Sequence, residues 1–158
     1  MIHQEFLLPY LVTNIISAAL VFLAFRWPRL TRVLFVLIFA GAGLFNIYTA
    51  ITEPSVYQTY KELAVLAFYR NFIDGFFSEH AQLIILIIAV GQLSVGTLLI
   101  GNGRLLNMGV IGGTIFLVAI APLGFGSAFP ETLLMVGALF ITQWRLIRVQ
   151  KQRRITNH

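Results

Sequence analysis

Five apolar runs, at about residues 6–25, 33–51, 81–100, 105–121 and 131–147, fill most of this chain, and charge enters them only at their ends. Each is close to the roughly 20 residues a helix needs to cross a hydrocarbon core, and about twice as long as a strand of a membrane barrel. In lipid every backbone N–H and C=O must find its partner within the protein, so runs of this length specify helices. The composition agrees. The chain is 58% hydrophobic and 11% charged, where a soluble domain carries about 25% charged residues. The expected fold is all-α: one integral membrane helix bundle over residues 1–148, with a basic tail at 149–158.

The punctuation between the runs supports this reading. Trp27-Pro28 ends the first run, Glu53-Pro54 the second, Gly101-Asn102-Gly103 the third, and Pro122 with the loop up to Pro130 the fourth. Proline and glycine are where helices stop. Charge then orients the bundle. With five crossings, Arg26, Arg29, Arg32, Arg104, Arg145, Arg148, Lys151, Arg153 and Arg154 fall on one side, and only Lys61 and Arg70 on the other. All six acids share that second side: Glu5, Glu53, Glu62, Asp74, Glu79 and Glu131. Basic residues accumulate on the cytoplasmic side. The N-terminus is therefore expected outside and the C-terminus in the cytoplasm of an inner membrane. The net charge of +5 follows from this partition and calls for no nucleic acid. The first run lacks the basic start of a cleaved signal peptide and reads as a retained helix.

The longest connection, residues 52–80, is the most polar and aromatic part of the chain. At 55–78 the residues Tyr57, Tyr60, Ala64, Phe68, Phe72 and Phe76 recur near helical spacing, which predicts one amphipathic cap helix on the outer surface. Arg70 and Asp74 are spaced to pair along it. Gly109 and Gly113 form a GxxxG pattern, and Gly91, Ser94 and Gly96 a small strip; both mark close helix packing.

Polar groups within apolar runs need partners or a role. Asn46, Gln92, Ser127 and Glu131 lie in or beside the outer halves of the helices. With Tyr69, Arg70, Glu79 and His80 of the connection they form the candidate ligand-binding set. Glu79, His80 and Glu131 could also handle protons, although acids at helix starts are explained by the helix dipole alone. With no cysteine and only three histidines, two of them at the chain ends, thiolate chemistry is excluded and haem is not expected. Quinone is the cofactor class considered. No nucleotide-binding, metalloprotease or serine-hydrolase pattern occurs, and whether the chain is an enzyme stays open.

Residues 32–43, RVLFVLIFAGAG, and the stretch Gly91-Gln-Leu-Ser-Val-Gly96 followed by Leu-Leu-Ile-Gly-Asn-Gly-Arg-Leu resemble two helices and a short basic turn of DoxX-like membrane proteins. The resemblance covers about residues 30–148 as a four-helix core, with the first helix as an addition. It implies a small inner-membrane protein beside redox or quinone-linked complexes, with His80 and Glu131 near where that family carries a His or acid. The connection here is longer and more aromatic than that family's. The leading functional expectation is an accessory subunit of a redox-linked membrane complex. The next is a binder or carrier of a hydrophobic ligand, a quinone or lipid, in a pocket beneath the aromatic cap, and the last an acid–base enzyme using Glu79, His80 or Glu131.

Overall fold

In the computed structural model, which describes residues 4–123 and 129–156, every long element is a helix and no strand occurs among the described residues. The helices are α1 (Gln4–Arg26), α2 (Pro28–Thr52), α3 (Tyr60–Leu63), α4 (Ala67–Phe72), α5 (Ser78–Ile100), α6 (Arg104–Ile120) and α7 (Glu131–Thr156). Four stretches are long and apolar enough to cross a membrane: Pro28–Thr52, Ala67–Ile100, Arg104–Leu123 and Glu131–Val149. Tyr10–Arg26 is a shorter apolar helix.

The first run ends at Arg26, and Pro28 also opens the next helix. It is the first residue of α2, where its missing N–H would have had no partner in any case. Trp27 alone makes the turn, so Arg29 and Arg32 ride on the first turns of a helix. Arg32 then reaches the end of α5. Its Nε donates to Leu99 O at 2.6 Å, its Nη2 to Gly101 O at 2.8 Å and to Ile100 O, and its Nη1 to Asn102 Oδ1 at 3.2 Å. One guanidinium thereby satisfies the unpaired carbonyls at a helix C-terminus and places a cation at the negative end of its dipole. Beyond it, Gly103 at φ +59° turns the chain into α6, in a region side-chain-bearing residues rarely adopt.

Helices α2, α5, α6 and α7 close a four-helix ring, with α2 against α5 as its most extensive seam, and α1 packs on α7 and α2. Phe35, Phe39, Val95, Leu99, Val110 and Leu139 form the buried centre. Small residues allow the close approaches. A methyl on Gly109 would sit 2.9 Å from the Leu99 backbone N, and one on Gly43 2.8 Å from Leu93 Cγ and 3.1 Å from Ala89 O. The GxxxG pair is therefore used within the chain, where α6 meets α5. Of the expected strip on α5 only Gly96 packs against another helix, α2; Gly91 has nothing within 4 Å, and Ser94 is exposed. Large apolar side chains such as Phe22, Leu37, Ile87 and Ile115 stand outward. An apolar exterior of this kind suits a bilayer.

The connection at 53–77 is not one helix. A 3-10 turn at Pro54–Thr59 leads into α3, residues 64–66 are partly extended, and α4 runs through a π-helical turn, Ile73–Phe77, into α5, whose first turn kinks at His80 (φ −125°, ψ 24°). The break is held from outside the segment: Val65 N–H donates to Pro122 O at 3.0 Å, and Ala64 is buried. A second, smaller apolar cluster of Ala50, Ile73, Phe77, Ala81 and Ile85 anchors the connection onto α2 and α5.

Candidate functional site

The α2–α5 seam brings two polar side chains face to face in otherwise apolar surroundings. Asn46 Nδ2 donates to Gln92 Oε1 at 2.7 Å, and both residues are buried. From the connection Tyr57 completes a chain, its hydroxyl donating to Asn46 Oδ1. Burial and the neighbouring Tyr60 phenol push the Tyr57 pKa up to about 12, against a smaller lowering by the Thr49 hydroxyl. Tyr57 is thus a neutral hydroxyl donor at any physiological pH.

This relay has a direction. The Tyr57 hydroxyl donates a hydrogen bond to Asn46 Oδ1 and Asn46 Nδ2 donates one to Gln92 Oε1, so each side-chain carbonyl oxygen already accepts a bond. Gln92 Nε2 makes no hydrogen bond among the described residues, nor does the half-buried Tyr60 hydroxyl. An amide nitrogen donates and does not accept. The polar end of the relay therefore offers donors and needs an acceptor.

What it faces is a cavity of about 290 Å³. Ile84, Ile85 and Ile88 of α5 with Phe116 and Ile120 of α6 form its walls, Asn46 and Gln92 its polar floor, and Tyr57, Tyr60, Tyr69 and Phe72 close it from the connection. Among the described residues no charged side chain lines it. Its rim at Phe72 and Ala119 is exposed, and across that rim the Tyr69 hydroxyl donates to Ala119 O at 2.5 Å. With the Val65–Pro122 bond, this fastens the connection to the end of α6.

Of the sequence-predicted site residues, Asn46, Tyr69 and Gln92 meet at this cavity. The others do not. Arg70 is exposed, with Nη2 on Val65 O at 3.4 Å; its expected partner Asp74 is instead bound by Lys61 at 2.5 Å. Glu79 is exposed. His80 is exposed too, stacked on Phe76 with ring centroids 4.7 Å apart and Nδ1 3.2 Å from Phe76 O. Glu131, at the start of α7, faces Thr13 and Ser17 of α1. Ser127 lies outside the described residues. Glu79, His80 and Glu131 therefore form no common cluster, and no group of three His, Cys, Asp or Glu fit for a metal occurs among the described residues.

Tyr57 and Tyr60 were read from sequence only as part of an aromatic face. The signal that distinguishes them was present: Phe68, Phe72, Phe76 and Phe77 fill similar positions without a hydroxyl, and a buried tyrosine hydroxyl usually has a partner. Compared with known proteins, the chain matches no family model, and no curated protein and no solved structure is similar to it.

Proposed function

We propose that this chain is a five-pass inner-membrane protein, N-terminus outside and C-terminus cytoplasmic, that binds an uncharged amphiphile in the cavity between α2, α5, α6 and the outer cap. The ligand is of the class with a carbonyl-bearing ring or ester head and an apolar tail, quinones being the first candidates. The observation that carries the reading is the directed relay Tyr57–Asn46–Gln92, which ends in amide donors at an uncharged, apolar cavity. Pockets that combine apolar walls with a few convergent polar groups are the usual form of small-molecule sites. A cavity of about 150 Å³ already holds benzene, so 290 Å³ has room for a substituted ring while the tail leaves through the rim.

Length supports the cap. The helical stretch Ala67–Ile100 has 34 residues, well beyond the roughly 20 that one crossing needs, and it kinks at His80, whose φ of −125° and ψ of 24° are not helical. Its aromatic first turns then lie at headgroup level on the acidic side of the bundle. The shorter Tyr10–Arg26 helix, extended by the rest of α1, supplies the fifth crossing. The accessory-subunit expectation draws on no particular surface and moves to second place. The acid–base reading lacks two groups within reach of each other. The DoxX-like resemblance plays no part in this proposal.

The test is equilibrium binding of a short-tailed benzoquinone to the full-length protein in detergent, against its hydroquinone and an alkane of equal length. Loss of one ligand hydrogen bond costs about 1 kcal/mol, so Gln92→Leu is expected to weaken quinone binding roughly fivefold and leave alkane partition unchanged. Equal affinity for quinone and alkane would sink the proposal.

A further inference from the structure

We infer a second site at the basic end of the bundle, which takes the phosphate of an anionic phospholipid with one acyl chain laid against the protein. Two crevices, of about 580 and 540 Å³, flank the start of α2 and share Arg29, Leu146 and Val149. One adds Arg26 and Leu30, the other Ile100 with Val33 and Val36. Each therefore joins an apolar wall to guanidinium groups at its edge, the form of a lipid rather than of a free ion.

The arginines differ in what they have left to give. Arg32 is engaged with the α5 carbonyls and Asn102. Arg26 lies 5.5 Å over the Trp27 ring, a contact that leaves its N–H groups available. Arg29 is exposed and makes no hydrogen bond or ion pair among the described residues. Every Asp and Glu of the chain belongs to the opposite end in the topology, so no carboxylate competes for these two. Basic pockets between helices on the cytoplasmic side are where anionic headgroups bind, and arginine is the side chain suited to phosphate. This inference rests on the membrane reading and not on the ligand cavity, which faces the other end of the helices.

Trp27 lines one crevice and reports on it. The chain has two tryptophans, so in Trp144→Phe all indole fluorescence comes from Trp27. The full-length variant would be placed in phosphatidylcholine vesicles carrying a small fraction of brominated phosphatidylglycerol, and separately of brominated phosphatidylcholine. Bromine quenches on contact. Quenching by the anionic lipid is expected to saturate at low mole fraction, while the zwitterionic lipid quenches only in proportion to its abundance. Adding Arg26→Gln and Arg29→Gln should weaken the anionic preference roughly fivefold per arginine, about 30-fold together. Arg104→Gln, at the same end but outside both crevices, should leave it intact.

Equal quenching by the two lipids would overturn the site, and so would a loss with Arg104→Gln as large as with the pair, which would mean diffuse charge. Release of quenching by inorganic phosphate, where chloride has no effect, would assign the site to free phosphate and overturn the lipid. Should the double variant fail to fold, Arg29→Gln alone, at an exposed position, carries the same test, and the comparison of the two lipids needs neither.

Discussion

Replacing Asn46 by leucine removes the centre of the relay and nothing else of similar size. Asn46 donates to Gln92 and accepts from Tyr57, so the change breaks two hydrogen bonds, leaving Gln92 Oε1 unpaired and the Tyr57 hydroxyl with only Thr49 beside it. Hydrogen bonds between membrane helices measure about 0.6 kcal/mol on average and up to about 1.7. Asn46→Leu should then cost about 1–3 kcal/mol. Gln92→Leu breaks only the 2.7 Å bond and should cost about 0.6–1.7 kcal/mol. The pair shares that bond, so the double variant should be less destabilised than the sum of the singles by about 0.6–1.7 kcal/mol. Reversible unfolding of the full-length protein in mixed micelles by dodecyl sulfate, followed by circular dichroism, measures all four corners of the cycle. Additivity to within about 0.3 kcal/mol, or an Asn46→Leu cost no larger than that of Gln92→Leu, would refute the relay.

Other consequences follow from particular contacts. Gly109→Ala places a methyl 2.9 Å from the Leu99 backbone N, and overpacking of this kind costs about 1–3 kcal/mol. Gly91→Ala meets nothing within 4 Å and should gain up to about 1 kcal/mol in helix propensity; the same micelle titration should give opposite signs. Arg32→Gln uncaps α5 and should cost about 1.5–3 kcal/mol, as for hydrogen bonds to a charged group. The Tyr57 pKa, pushed up to about 12, makes stability depend on pH in one direction. The folded state keeps a proton that the unfolded chain releases near pH 10, so stability is full below pH 10 and declines as pH rises toward 12. Thermal unfolding scans over that range should show a shallower decline in Tyr57→Phe.

The sequence was most legible where one physical rule acts alone. Apolar length placed the helices. Asn46 and Gln92 stood out because amides are costly in an apolar run. Their meeting was not legible, since it depends on the register of α2 against α5, which Gly96 and Gly43 set by contact. The cap went wrong for a related reason. Residues 61–68, KELAVLAF, carry good helix formers and no proline or glycine, yet the chain extends at 64–66 because Val65 bonds to the distant Pro122. A tertiary bond overrode a local preference. Arg32 likewise read only as a topological charge, because its partners lie 67 residues or more away. Glu79, His80 and Glu131 share a side in the expected topology, and that did not bring them together.

The most direct measurement is native mass spectrometry of the full-length protein, released gently from its host membrane, beside the Gln92→Leu variant. The expected spectrum is the protein carrying one discrete small mass of an uncharged, carbonyl-bearing amphiphile, depleted in Gln92→Leu. Equal retention of that mass by the variant, a protein with no such mass, or a stoichiometric protein partner with the cavity empty would contradict the proposed site.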